Sequence, residues 1–339
     1  MRSTQGHGRH RRGNGGGLNH PALFYADDQS YVAGTVPFLR EAVEAGQPAM
    51  MAAPPRRLEL VQAGLGPAST DVVFHDMTVA GRNPGRIIAG VLREFADRNA
   101  DHDGVRIIGE PIWAGRSPEE YAAAVQHEAL INLALADRAV TVLCPYDTSA
   151  LDPKVIDEAA HTHPVLIERG VTTASAHYAD PSTLAQRFSG PLDEPTGLSE
   201  TLVFAAPSGP RAVRLAVAEH AASAGLDPDR VADLSLAAYE VAVNTVLHTS
   251  RPGLLAVWTR DSSVGPGWEA AERPAVMCEF QDSGWIADPL VGRHDGHASE
   301  RRGYGLRLAH QLCDLVRVHS DPTLGTTVRM TMYLTERGL

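Results

Sequence analysis

The chain has 339 residues, 43% hydrophobic and 21% charged, an ordinary globular composition with length for two domains, each with its own core. Its net charge of -11 excludes a general nucleic-acid binder, because neutralising phosphates takes a basic surface. No apolar run approaches the length of a membrane span, and the basic N-terminus lacks the apolar stretch of a secretory signal, so the expected location is the cytoplasm, with no membrane partner. Cys144, Cys278 and Cys313 lie far apart without metal-type spacing and read as reduced, buried thiols. Lys154 is the only lysine and follows Asp152-Pro153 rather than a glycine, so there is no Walker phosphate loop.

Residues 1–19 are Gly- and Arg-rich without apolar periodicity and read as a disordered tail. Residues 20–178 alternate short apolar runs with amphipathic segments. ALFYA (22–26), PAMMAA (48–53), DVVFHDM (71–77), VRIIGEP (105–111) and VTVLCPY (140–146) have the content of buried strands. Helices are predicted over 28–45, where Val32, Val36, Leu39 and Val43 share a face, and over 56–64, 84–98 and 117–136. This alternation implies an α/β domain whose mostly parallel sheet is covered on both faces. Ligands of such sheets bind beyond the carboxyl ends of the strands. The sequence places Asp27, Asp28, Asp76, Glu110, Trp113, Tyr146 and Asp147 there. Of these, Glu110, Trp113, Tyr146 and Asp147 form the polar and aromatic set expected to line a small-molecule sensory pocket.

The histidines are less specific. His127-Glu128 begins like a zinc-protease motif, but the second histidine would fall at 131, where Ile131 stands. His161 and His163, two apart before Pro164, read either as a metal pair or as the cap of a helix C-terminus.

Three segments of this half carry a family likeness: HPALFYADDQSYVAGTVPFLREAVEAGQPAMM, GEPIWAGRSPEEYAAAVQHEALIN and VLCPYDTSALDPKVIDEAAHTHP. On them, residues 20–170 resemble the MEDS sensory domain of regulators from methanogens and methylotrophs. That resemblance implies a RecA-like α/β fold that has lost its phosphate loop, in keeping with the missing lysine.

Residues 179–200 are rich in Pro, Ser, Gly and acidic side chains and read as an interdomain linker. The second unit, 201–339, opens with the strand TLVFAA (201–206) and a helix over 211–224. A long helix is predicted over 229–250, capped by Asp227 or Asp229 and stopped by Arg251-Pro252-Gly253. Val231, Leu234, Ala238, Val241 and Thr245 make its apolar stripe, and Glu240, Asn244 and His248 form a polar row one turn apart. Strands LLAVWT (254–259) and AVMCEF (275–280) follow, then a flexible charged stretch 288–302, a helix over 306–316 and a final strand over 328–334.

Each of these pieces has a use in holding ATP. Asp282 at a strand end can accept a hydrogen bond from an adenine amino group, and Gly284 leaves room for the base. Gly303 and Gly305 expose backbone N–H groups at a helix N-terminus, where phosphate is favoured. Asn244 offers a carbonyl oxygen to Mg²⁺, and Glu240 can accept a proton from a nucleophile. In this order they resemble the ATP-binding domain of the GHKL (Bergerat-fold) superfamily, an α/β sandwich, and within it bacterial anti-sigma factor serine kinases. EVAVNTVLH matches the family's N box, DSG its first glycine box, GYGLRLA its second and GTTVRM its closing box. The resemblance implies Glu240 as general base and Asn244 as magnesium ligand. It also implies Asp282 and Gly284 for adenine, Gly303 and Gly305 for phosphate, Thr326 and Thr327 as further nucleotide-binding residues, and 288–302 as a lid. One position departs: Ile286 stands where the first glycine box ends in glycine, which stiffens the start of the lid.

The resemblance leaves three functions. The first is a signal-responsive kinase that binds a sigma factor and phosphorylates an anti-sigma antagonist. The second is a module in which ATP only sets a binding-competent shape. The third is a sensor histidine kinase, disfavoured because no long helical hairpin with an acceptor histidine precedes residue 201. Homodimerisation is left open.

Overall fold

The computed structural model describes residues 17–195, 199–262, 273–293 and 304–334. The N-terminal half is built on strands β1 (Pro21–Tyr25), β2 (Ala49–Ala53), β3 (Val72–Asp76), β4 (Val105–Gly109), β5 (Val140–Asp147), β6 (Val165–Glu168) and β7 (Val171–Ala174). They form one sheet in the order β3-β2-β4-β5-β1-β6-β7, parallel throughout except for the β6–β7 hairpin. Helices α1 (Asp28–Glu44), α2 (Pro55–Leu65), α3 (Met77–Ala80), α4 (Glu94–Arg98), α5 (Pro118–Ala134) and α6 (Pro153–Thr162) connect the strands. The apolar runs are continuous because both faces are covered. On β2, Met51 joins the core with Tyr31, Leu39 and Val61, while Met50 joins the opposite core with Ile107, Leu130 and Val142.

Sequence and structure differ in three places here. The helix predicted over 84–98 starts as a 3-10 turn at Pro84–Arg86, runs as a π-helix over Ile88–Arg93, and is α-helical only in α4. Its start is held by Asn83, whose amide donates to the His310 carbonyl in the C-terminal half while its oxygen accepts from Gly85 N–H. The β6–β7 hairpin, not anticipated, turns at Arg169 and Gly170, both at positive φ, as a tight hairpin demands. Finally, helix α7 (Pro181–Ser189) occupies the first part of the stretch read as a linker. Asp180 caps it by accepting from Thr183 N–H, and Leu184 and Ala185 bury their side chains in the core that contains α5.

The C-terminal half comprises β8 (Glu200–Phe204), α8 (Gly209–Ser223), α9 (Pro228–His248), β9 (Gly253–Arg260), β10 (Ala275–Asp282), α10 (Tyr304–Leu312), β11 (Leu315–Asp321) and β12 (Gly325–Tyr333). Its sheet is antiparallel, in the order β11-β12-β10-β9-β8. Asp227 caps α9 by accepting from Asp229 N–H. The helix predicted over 306–316 ends at Leu312, because the alternating segment that follows pairs with β12 as β11. One sheet face packs Leu255, Cys278 and Met330 against Val217, Leu234 and Ala309 of the helices. All three cysteines are free and buried, as expected.

The other sheet face meets the N-terminal half. Trp258, Met277 and Tyr333 are buried there with Arg260, Glu279 and Arg329. The first turn of α5 supplies the complementary acids. Arg260 donates to Glu119 at 2.8 Å, and Arg273 and the Tyr333 hydroxyl donate to Glu120 at 3.1 and 3.0 Å. Glu120 also closes the capping box of α5, accepting from Ser117 N–H at 3.0 Å. One carboxylate therefore holds both the helix start and the domain contact.

Candidate functional site

The nucleotide-type residues converge at the end of β10. Thr245, counted on the apolar stripe from sequence, is buried, but its hydroxyl donates to Asp282 Oδ2 at 2.6 Å and ties α9 to the strand. Asp282 Oδ1 accepts from Gly284 N–H at 2.8 Å. Each oxygen keeps a further lone pair, so the carboxylate can still accept from an exocyclic amine. Glu240 and Asn244 sit one turn apart on α9 at partly exposed positions, and His248 is exposed beyond them. Among the described residues, neither the Glu240 carboxylate nor the Asn244 amide has an internal hydrogen-bond partner.

The start of α10 closes against this helix. A Cβ on Gly305 would stand 2.6 Å from Asn244 Nδ2 and 3.1 Å from the Glu240 carbonyl, so only glycine lets the two helices meet here. Gly303, and the predicted lid beyond Arg293, lie outside the described residues. At the neighbouring strand, Gly325 has φ +94°, and a Cβ there would fall 2.1 Å from the Asp282 carbonyl. Thr326 follows and donates to the Gly284 carbonyl at 2.8 Å. Ser320, not singled out from sequence, lies 2.7 Å from the Thr326 hydroxyl and accepts from Ile286 N–H at 2.9 Å. Ile286 packs against the helix-side core, so the position where glycine was expected is held on both counts.

Thr327 is not brought into this group. Neighbouring strand residues point to opposite faces. Thr326 pairs with Asp282 on the α9 side, whereas Thr327 pairs with Gln281, on the face that carries Glu279 and Arg329.

The described part of the stretch expected to form a lid, 288–293, is turned toward the N-terminal half. Arg293 is buried and donates to Gln126 Oε1 of α5 at 2.8 Å. A cleft between the halves is lined by Gln126, Ala185, Trp285, Asp288, Arg293 and His310, and it reaches neither Glu240 nor Asn244.

In the N-terminal half, the four residues expected to line one pocket are divided. Glu110 is buried and accepts from the Tyr25 and Tyr31 hydroxyls at 2.9 and 2.8 Å. Asp147 joins the same group through Arg57, which donates to it at 2.9 Å and stacks over both tyrosine rings. Arg57 also donates to Asp28, whereas Asp27 and Asp76 are spent capping α1 and α3. Trp113 instead carries the Arg116 guanidinium over its ring, 3.9 Å from the centroid. Tyr146 is buried on the α5 side of the sheet, against His163. The paired histidines part as well. His161 bonds the carbonyl of Asp157 in its own helix, while His163 turns inward beside His20, Glu128 and Cys144.

Burial pushes the Glu110 carboxyl up to about 7, against the opposing effects of Tyr31, Tyr25 and Arg57. A raised carboxyl contributes fully below its unfolded value of 4.5, and the contribution is lost as pH rises through the folded value near 7. Wild-type stability measured by urea unfolding should therefore fall by about 3 kcal/mol between those limits on account of this group. Glu110→Gln should flatten that slope; an unchanged slope would place the titration elsewhere.

A five-stranded antiparallel sheet with three helices on one face, and with Asp282, Asn244 and Glu240 gathered where Gly305 opens a helix, defines a nucleotide-holding α/β sandwich. Joined to it is a mostly parallel α/β domain without a phosphate loop. Comparison with family models agrees with this division. Residues 19–164 match the MEDS model (MEthanogen/methylotroph, DcmR Sensory domain), and residues 204–332 match the histidine kinase-like ATPase domain. The chain is a MEDS sensory domain fused to a histidine kinase-like ATPase domain, a regulatory ATP-binding kinase-like protein. No curated protein matches it. Among the described residues, no helix is long and apolar enough to cross a membrane.

Proposed function

We propose that the chain is an anti-sigma factor serine/threonine kinase of the cytoplasm, whose MEDS half responds to a small molecule. In this reading Asp282 and Gly284 select adenine with Thr326 beside them, Asn244 ligates Mg²⁺, and Gly303 and Gly305 serve the phosphates. Glu240 takes the proton of the acceptor hydroxyl. Its partners are a sigma factor and an anti-sigma antagonist.

The observation that carries the reading is the placement of Glu240. Its carboxylate lies one turn from Asn244 with no hydrogen-bond partner among the described residues, free to act as a base. A module that only binds ATP needs Asn244 and has no use for a base beside it. A sensor histidine kinase is disfavoured by what precedes the ATPase domain: a short β-hairpin and the nine-residue α7, not a long helical hairpin.

The test is a phosphorylation assay with labelled ATP against antagonist proteins encoded in the same genome. Serine or threonine labelling of one of them is expected. Failure to label any candidate, with ATP still shifting partner affinity in pull-downs, would establish the non-catalytic alternative instead.

A further inference from the structure

Four side chains from separate elements meet inside the MEDS domain. His20 precedes β1, Glu128 is on α5, Cys144 is on β5 and His163 ends α6. All four are buried, and one potential ligand atom from each lies within 4.8 Å of the others. Glu128 Oε2 is 3.2 Å from both His20 Nε2 and His163 Nε2, and His20 Nε2 is 3.3 Å from Cys144 Sγ. Bonds of about 2.0–2.3 Å to one tetrahedral ion set neighbouring ligands about 3.3–3.7 Å apart, so these separations are close to a coordination edge.

The hydrogen bonds around the cluster show which atoms face inward as acceptors. The Asn132 amide nitrogen donates to the carbonyls of Glu128 and Thr162, which leaves Asn132 Oδ1 to accept from His20 Nδ1 at 3.2 Å. His163 Nδ1 donates to the Ala159 carbonyl at 2.9 Å. Each ring thus donates outward from Nδ1 and turns its Nε2 toward the Glu128 carboxylate. Both Glu128 oxygens and His163 Nε2 are buried without a hydrogen-bond partner. The Cys144 thiol faces the same point from β5. Protonating both imidazoles would set two cations side by side, with ring centroids 4.1 Å apart and planes tilted by 43°, inside the core.

We propose that His20, Glu128, Cys144 and His163 bind one zinc-class divalent transition ion. The ion satisfies all four inward-facing groups at once. Two imidazoles, a thiolate and a carboxylate suit zinc, and a closed set of four protein donors is the structural type of site. The Asn132 and Ala159 contacts to the far ring nitrogens supply the outer support that such ligands need. Since β1, β5, α5 and α6 are all tied by it, the ion holds the domain's centre together.

Metal analysis of the purified full chain tests this. One equivalent of zinc per chain is expected, lost in His163→Gln. Stripping with a chelator and adding Co²⁺ should produce tetrahedral d–d bands and a thiolate-to-cobalt charge-transfer band. Cys144→Ser should lose the charge-transfer band while keeping far-UV circular dichroism. Wild-type protein that carries no metal, and whose stripped form gives no thiolate–cobalt band, would overturn the proposal, and that readout does not depend on any variant folding. ATP binding by the other half plays no part in the measurement.

Discussion

The Glu240→Gln protein is expected to bind ATP as the wild type does and to transfer phosphate about a hundredfold more slowly, or worse. Glutamine keeps the shape and hydrogen-bonding reach of glutamate but cannot hold the transferred proton. Because the Glu240 carboxylate makes no internal hydrogen bond among the described residues, the exchange removes no structural contact, and the fold should be unaffected. Phosphoryl transfer depends mainly on positioning and charge neutralisation. Asn244→Ala, which removes the proposed magnesium ligand, should therefore cost at least as much and should also weaken magnesium-dependent nucleotide binding by calorimetry. Equal transfer by wild type and Glu240→Gln would remove Glu240 from the chemistry. A parallel loss of ATP affinity in Glu240→Gln would make it a binding residue instead.

Arg329→Met is expected to destabilise the ATPase domain by about 3–5 kcal/mol, the usual cost of stranding one member of a buried ion pair. Arg329 donates through Nε to Glu279 Oε2 at 2.8 Å, and both side chains are almost fully buried. It also stacks near Trp258, 5.4 Å from the ring centroid, and lies 3.7 Å from Glu119 of the sensory half. Methionine fills much of the volume but leaves Glu279, among the described residues, with only the Gln281 amide, at 2.9 Å. Adding Glu279→Met should recover most of the loss, since replacing a whole buried pair with apolar side chains is often close to neutral. Chemical denaturation of the three proteins decides the matter. A single variant as stable as wild type would mean that the pair contributes nothing.

Much of this architecture is legible in the residues themselves. Apolar runs such as VTVLCPY read as strands buried on both faces, as β5 is, and the second domain falls where the histidine kinase-like ATPase model matches, over 204–332. What escaped was decided by contacts distant in sequence. The segment after Leu312 has helical company on one side, yet it becomes β11 because β12 offers it a ladder. Helix α7 reads as a linker because Asp180 and Pro181, which start it, and Gly190, which ends it, are turn-type residues, and Leu184 and Ala185 are what dock it. Thr245 sits on an apolar stripe, and its hydroxyl acquires a role only once Asp282 arrives from another strand. His20, Glu128, Cys144 and His163 have no motif spacing at all, since four different elements deliver them.

Helix α5 is a single rod that touches both halves along its length. Glu119 and Glu120 bolt its first turn to the ATPase sheet, Gln126 holds Arg293 after β10, and Glu128 reaches into the middle of the sensory domain. Successive helical residues are set about 100° apart around the axis, so Gln126 and Glu128 project to nearly opposite sides. A roll of the rod that draws one of them inward must carry the other the opposite way. The bolted first turn is the pivot, and the single hydrogen bond to Arg293 is the compliant end. A disturbance at the core of one half is therefore geared, through one helix, to Arg293 in the other.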